Sequence, residues 1–302
     1  MMNTLLPWHQ TGEHISFNAV AMDGSSISSQ KIFVKHLLQA HKPVLLLIHG
    51  FPTSSYDWQP LWSQLSEHFS LITLDMLGYG LSDKPTNARY SLRDQADLVE
   101  FVLAKYKIQQ CHILAHDYGD TVAQELLARH NQLQMTLNIN SCILLNGGIF
   151  PEATRPILIQ KLLATPIGAI IAKFMTFKDF NRSFDRICGI PLTEIELKQH
   201  WQLMQYNQGK KVFHVLIRYM NERKQNRQRW TEALQHFSPP LRLINGIEDP
   251  ISGQSIVDRF DQLIKDADTV ELQQIGHYPQ IEAPEKVLQH AVSFWKKHHI
   301  IT

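Results

Sequence analysis

The chain has few of the features that would mark several large classes of protein. Only three cysteines occur in 302 residues, Cys111, Cys142 and Cys188. Their odd number and wide spacing exclude a disulfide framework and point to a reducing compartment. None pairs at CxxC spacing, which excludes a cysteine zinc site, and no HExxH is present. Charge of one sign is also missing. Lys and Arg number 29 against 28 Asp and Glu, a formal net charge of +1. No global field therefore recruits nucleic acid or an anionic surface. A long apolar run is absent as well. The longest apolar-leaning stretch, Ile157 to Met175, is interrupted by Gln160, Lys161, Pro166 and Lys173. A membrane span needs about 20 mostly apolar residues. The start, MMNTLLPWHQTGEH, lacks the basic and apolar regions of a signal peptide. A soluble, cytoplasmic protein without a stable membrane span is expected.

What is present suits a folded enzyme-sized chain. Hydrophobic residues make up 44% and charged residues 19%, and the length is ample for a core without staples. Short apolar runs without alternation fall at Val44–Ile48, Leu71–Leu74, Cys111–Ala115, Cys142–Leu145, Leu241–Ile244 and Val270–Ile275. Such runs suit parallel strands covered on both faces. Between them, Ser55–His68, Ser91–Lys107, Tyr118–His130, Gln254–Ile264 and Pro284–Lys297 carry apolar residues at helical spacing. Ser91 with Asp94, and Thr121, supply helix-start chemistry. His14–Val20 and Lys31–Leu38 read as an antiparallel pair. The alternation predicts a doubly wound, mostly parallel α/β sheet.

From about Phe150 to Gln235 no strand is evident. Helical patterns occupy Pro156–Lys173, Glu194–Gln205, Lys211–Glu222 and Trp230–Gln235. The expected organisation is a core domain of residues 1–149 and 237–302 and a helical cap domain of residues 150–236. A basic cluster in that insertion, Lys210, Lys211, Arg218, Arg223, Lys224, Arg227 and Arg229, has only Glu222 as a nearby acid and is read as a solvated helix face.

The chemistry centres on CHILAHDYGDTVAQELL. A strand enters Ala115-His116-Asp117-Tyr118-Gly119 and a helix leaves it, the small-x-nucleophile-x-small pattern of a nucleophile elbow. No GxSxG occurs. A carboxylate in the central position is already ionised near neutral pH. It suits displacement at an sp³ carbon, leaving an ester that water must cleave. By itself the pattern is equally compatible with a strand-end acid or helix cap; three further motifs favour the elbow. His49-Gly50-Phe51-Pro52 follows the first parallel strand, where such folds place the other oxyanion-hole amide. The amides of Phe51 and Tyr118 are assigned to that hole, and His49 and Pro52 to the substrate side of the loop. Asp249, with Glu248 as the fallback, follows the strand at 241–244. His277 stands in Ile275-Gly276-His277-Tyr278-Pro279 after the last strand. The order nucleophile, acid, histidine is that of an α/β-hydrolase.

HGFP, LDMLGYGLSDKP, HDYGD and IGHYPQIEAPEKV together resemble the α/β-hydrolase superfamily, in its epoxide hydrolase and haloalkane dehalogenase branch. HGFPTSSYDW (49–58), HDYGDTVAQELL (116–127) and NGGIFPEATRPILIQKLL (146–163) resemble the mesoderm-specific transcript proteins. The resemblance implies an eight-stranded sheet with an all-helical cap, an Asp nucleophile and no metal or organic cofactor. It also implies cap tyrosines that hydrogen-bond an epoxide oxygen. Tyr219 in RYMNER matches that role, and Tyr206 is a second candidate for the substrate site. The early cap has phenylalanines and no tyrosine. Dehalogenases usually carry Trp after the nucleophile, where this chain has Tyr118. The expected activity is epoxide hydrolysis to a diol on a small apolar substrate, by a monomer or homodimer. Dehalogenation, ester or lactone hydrolysis and a non-catalytic binding role are the alternatives.

Overall fold

The computed structural model describes residues 7–302. The six leading residues, on which the reading of no signal sequence partly rests, lie outside the described residues. Eight strands form one sheet: β1 (Gly12–Val20), β2 (Ser26–Leu37), β3 (Val44–Ile48), β4 (Ser70–Leu74), β5 (Gln110–His116), β6 (Asn138–Leu145), β7 (Leu241–Gly246) and β8 (Thr269–Leu272). Their order is β1-β2-β4-β3-β5-β6-β7-β8. β1 pairs antiparallel with β2, and β2 with β4; every later pairing is parallel.

The apolar runs form parallel strands because both of their faces are covered. In β3, Leu45 and Leu47 face one buried cluster with Trp58, Leu61 and Trp295, whereas Leu46 and Ile48 face the other with Val99, Val122 and Leu126. Side chains alternate across a strand, so a strand between two helix layers must be apolar at every position. The helices are α1 (Pro7–Gln10), α2 (Gln59–His68), α3 (Leu92–Lys105), α4 (Tyr118–Asn131), α5 (Leu158–Leu163), α6 (Gly168–Phe174), α7 (Phe177–Ile187), α8 (Glu194–Gln205), α9 (Phe213–Leu216), α10 (Tyr219–Gln225), α11 (Arg227–Gln235), α12 (Gln254–Leu263), α13 (Pro279–Glu282) and α14 (Pro284–Lys297). Ser91 and Asp94 cap α3 reciprocally, each side chain bonding the other's amide. Thr121 is no helix start: α4 begins at Tyr118 without a side-chain cap.

The helices α5 to α11 all lie between β6 and β7. The sequence pattern here is less faithful. The single helix expected over Pro156–Lys173 is two, because Pro166 has no N–H to donate and disfavours helical backbone before it. Gly168 then lets the turns close up, since a Cβ there would lie 2.0 Å from the Leu163 carbonyl oxygen. The helix expected over Lys211–Glu222 is likewise divided into α9 and α10. α7 is absent from the expected set, although Phe177, Phe180, Phe184 and Ile187 have three-four-three spacing and Thr176 and Asp179 form a capping box. At the other end of the chain, β8 stops at Leu272 rather than Ile275. Gln274 has a positive φ of 64° and turns the chain before His277.

Candidate active site

The β5–α4 turn is tight for a physical reason. Asp117 sits at φ 47° and ψ −105°, a sparsely populated conformation that surrounding packing must hold. Gly119 permits it, because a Cβ would fall 2.4 Å from the Ile48 carbonyl oxygen and 2.6 Å from that of His49. Gly50 does the same across the gap, where a Cβ would meet His116 Nδ1 at 2.7 Å and Asp117 Cβ at 3.0 Å. The two loops are thus pressed together, and the Phe51 amide donates to Asp117 Oδ2 at 3.1 Å. Tyr118 heads α4, where the helix leaves its first amides without internal partners.

Asp249 and His277 converge on the same point from β7 and β8. His277 Nδ1 lies 2.7 Å from Asp249 Oδ2, and His277 Nε2 lies 3.9 Å from Asp117 Oδ2. All three side chains are buried. Glu248, the fallback acid, is exposed. Burial pulls the His277 pKa down, but the charge and hydrogen bond of Asp249, aided by Asp117, override it and bring it to about 9. For Asp249, burial works upward, and the neighbouring His277, Ser252 and Ile251 donors outweigh it, so the carboxyl sits below its ordinary value.

Several supports of this set are not among the residues the sequence singled out. Asn146, at the end of β6, donates from Nδ2 to Asp249 Oδ2 at 3.0 Å and accepts from the Gly246 amide at 2.8 Å. Ser252 Oγ lies 2.7 Å from Asp249 Oδ2. His116 Nε2 donates to the His277 carbonyl at 2.7 Å. Burial pushes the His116 pKa down to about 3, so that ring is neutral and one nitrogen is free to donate. Glu282 accepts backbone amides from Gly276 and Tyr278 around His277, and from Gly189 and Ile190 of the helical insertion. The amide of His277 itself donates to the Ile187 carbonyl at the end of α7, at 2.8 Å.

Arg223 corrects the reading of the basic cluster as a solvated face. It is only 4% exposed. Its Nε donates to Thr121 Oγ1 at 2.7 Å, and Nη2 donates to the Asp117 carbonyl at 2.9 Å and lies 3.5 Å from Oδ1. Arg227 and Arg229 are paired too, with Glu152 and Glu125. These partners lie 75 to 106 residues away, so no local charge pattern could disclose them.

The remaining expected residues divide. Tyr219 is buried, with its ring 5.0 Å from Tyr118 and 5.9 Å from Phe51, and the Arg223 guanidinium lies 4.5 Å above it. Burial, then the charge of Asp117, raises its pKa, so its hydroxyl stays protonated. Pro52 lines a narrow cavity of about 60 Å³ with Phe51, Met175, Phe180, Phe184, Phe213 and His277. His49 does not line it. Its Nδ1 bonds the Gly50 carbonyl and its Nε2 accepts from the Met76 amide, so it braces the loop instead. Tyr206 stands apart, with its ring 5.5 Å from Lys84 Nζ, and lines neither this cavity nor its neighbour. That neighbour, of about 340 Å³, includes Tyr219, Arg223, Lys161 and Lys224 and shares Gln160 and Ile251 with the first. His277 and Phe51 line the apolar cavity, and the Asp117 carboxylate sits against both. A carboxylate, an amide donor and a carboxylate-held imidazole together are equipped for two-step ester chemistry.

Comparison with known proteins agrees with this architecture. The mesoderm-specific transcript protein of Mus musculus is 41% identical over 261 residues, 83% of this chain and 78% of that protein. A Mycobacterium tuberculosis protein named as hydrolase LipZ is 38% identical over 253 residues, 83% of this chain and 88% of that one. The solved haloalkane dehalogenase DbeA-M1 loop variant from Bradyrhizobium elkanii superposes with a TM-score of 0.75 over 93% of this chain and 96% of its own. At 20% identity that likeness speaks to the fold alone. Residues 43–284 match the family described as alpha/beta hydrolase fold. The chain belongs to that alpha/beta hydrolase fold family.

Proposed function

We propose that this hydrolase opens epoxides to diols through a covalent ester on Asp117. The observation that carries the reading is a carboxylate at the elbow, touched by the Phe51 amide and faced by His277 on Asp249. A serine there would support acyl transfer directly; a carboxylate supports attack on a strained sp³ carbon. The helical insertion acts as a cap domain of residues 150–236 over the core.

In the first step an Asp117 oxygen bonds to an epoxide carbon. The ring C–O bond breaks, and its oxygen takes the proton of the Tyr219 hydroxyl. Esterification removes the negative charge of Asp117. That charge raises the pKa of both Tyr219 and His277, so its loss makes Tyr219 a better acid and lets His277 give up its proton, which returns to the Tyr219 oxygen and restores the hydroxyl. In the second step neutral His277 takes a proton from water, and the water oxygen adds to Asp117 Cγ. The Phe51 and Tyr118 amides hold the oxyanion. Collapse breaks the bond between Cγ and the alkyl oxygen, and the diol leaves with a proton from His277. The Asp117 carboxylic acid so formed returns its proton to His277, which restores the resting pair. No step calls for a metal or organic cofactor. The apolar cavity lining suits an apolar small molecule.

A panel of terminal epoxides, 1-haloalkanes and nitrophenyl esters tests the reading. Diol formation is expected, with Asp117→Ala reducing it by at least about a thousandfold. Halide release without diol formation would move the chemistry to dehalogenation, and ester cleavage alone would move it to acyl hydrolysis. Undiminished turnover by Asp117→Ala would overturn the mechanism.

A further inference from the structure

The outward side of α5 and α6 is unlike the rest of the surface. Among the described residues, seven of the twelve large apolar side chains that stand exposed fall between positions 158 and 195. Five of them are Leu158, Leu162, Ile167, Ile170 and Phe174, with Ile170 60% and Phe174 71% exposed. Scattered single apolar residues are ordinary, but a cluster marks a contact surface.

The charges around this cluster have one sign. From Ala153 to Lys178 there is no Asp or Glu, while Arg155, Lys161, Lys173 and Lys178 are present. Lys210 and Lys211 approach from the following segment, where Lys210 Nζ donates to the Lys173 and Met175 carbonyls. The flanking acids are engaged: Glu152 with Arg227 and Arg259, and Asp179 in the cap of α7. The chain as a whole carries +1, so this is a local concentration of cations. Apolar side chains rimmed by lysines match the boundary between acyl chains and anionic headgroups.

Directly behind this surface is the cavity that reaches His277. Ile157, Ile159 and Leu163 line it, interleaved along the chain with the exposed Leu158 and Leu162. One short helix therefore separates the outer apolar surface from the site.

We infer that the α5–α6 face seats this protein on anionic lipid bilayers. Leu158, Leu162, Ile167, Ile170 and Phe174 enter the acyl boundary, and Lys161, Lys173, Lys178 and Lys211 meet the phosphates. Apolar substrate reaches the cavity past α5 from the lipid phase. The seating is independent of which bond Asp117 attacks. No helix among the described residues is long and apolar enough to cross a membrane, and none is required, because the contact lies in the plane of the surface.

Co-sedimentation with vesicles tests this. Phosphatidylcholine vesicles containing phosphatidylserine are compared with phosphatidylcholine alone. The wild-type chain is expected to bind the anionic vesicles more tightly, with binding falling as salt rises. The double variant Ile170→Asp/Phe174→Asp should lose at least about tenfold in affinity on both, and Lys161→Glu/Lys173→Glu should lose affinity on the anionic vesicles only. Both alter exposed positions, so thermal melts should match wild type and exclude misfolding. Absence of wild-type binding to anionic vesicles, or equal binding by the double variants, would overturn the inference. A wild-type dimer that Ile170→Asp/Phe174→Asp dissociates, without vesicle binding, would overturn it in favour of a second copy on this face.

Discussion

Gly119 shows how little latitude single residues have at this site. Its missing Cβ is the space that the Ile48 and His49 carbonyls occupy, and both of those belong to backbone that cannot move without opening β3. Gly119→Ala should lose activity and at least about 2 kcal/mol of stability, measured as a shift in urea midpoint. His277 supplies a second prediction. Its pKa is raised from 6.5 to about 9 in the fold, so it binds its proton more tightly folded than unfolded. The stability this adds is complete below about pH 6.5 and disappears as pH rises through about 9. The difference in urea midpoint between wild type and His277→Gln should narrow over that window. A difference that widens with pH would show that His277 is neutral in the resting site. Asp117, Asp249 and His277 were legible in the sequence because each follows an apolar strand run within a few residues. Asn146, His116 and Arg223 were not, because what they do depends on partners that only tertiary packing supplies.

Among elements, the helical insertion is bound to the core beside the candidate catalytic residues. Glu282 in α13 gathers amides from both sides of that junction, and Arg223 in α10 reaches the elbow carbonyl. Removing the Glu282 carboxylate leaves four amides without their acceptor, and hydrogen bonds to charged groups are worth about 1.5–3 kcal/mol each before solvent replaces them. Glu282→Ala should therefore open the segment 188–192 to protease before global unfolding and lower turnover more than it alters substrate affinity. Equal protection in wild type and variant would contradict a junction role. The parallel strands were predictable from composition because double-sided burial demands continuous apolar residues. Within the insertion, amphipathic periodicity identified helices but not their breaks. Pro166 and Gly168 divide one apparent helix into two, and α7 carries its signal in four aromatic and aliphatic positions among charged ones.

Across the whole molecule, a near-neutral charge conceals an uneven distribution. The surface of α5 and α6 is apolar and cationic, while the loops that follow the parallel strands β5, β7 and β8 bury three ionisable side chains against one another. That burial has a purpose in the proposed reaction: each charge is held until esterification of Asp117 changes the balance at Tyr219 and His277. The central claim is that covalent intermediate, and intact-protein mass spectrometry of His277→Gln with an epoxide tests it most directly. Without the base that activates water, the ester should accumulate, adding the mass of one whole epoxide on the peptide that contains Asp117. Epoxide turnover by this variant without any adduct, or the same adduct on Asp117→Ala/His277→Gln, would contradict the account.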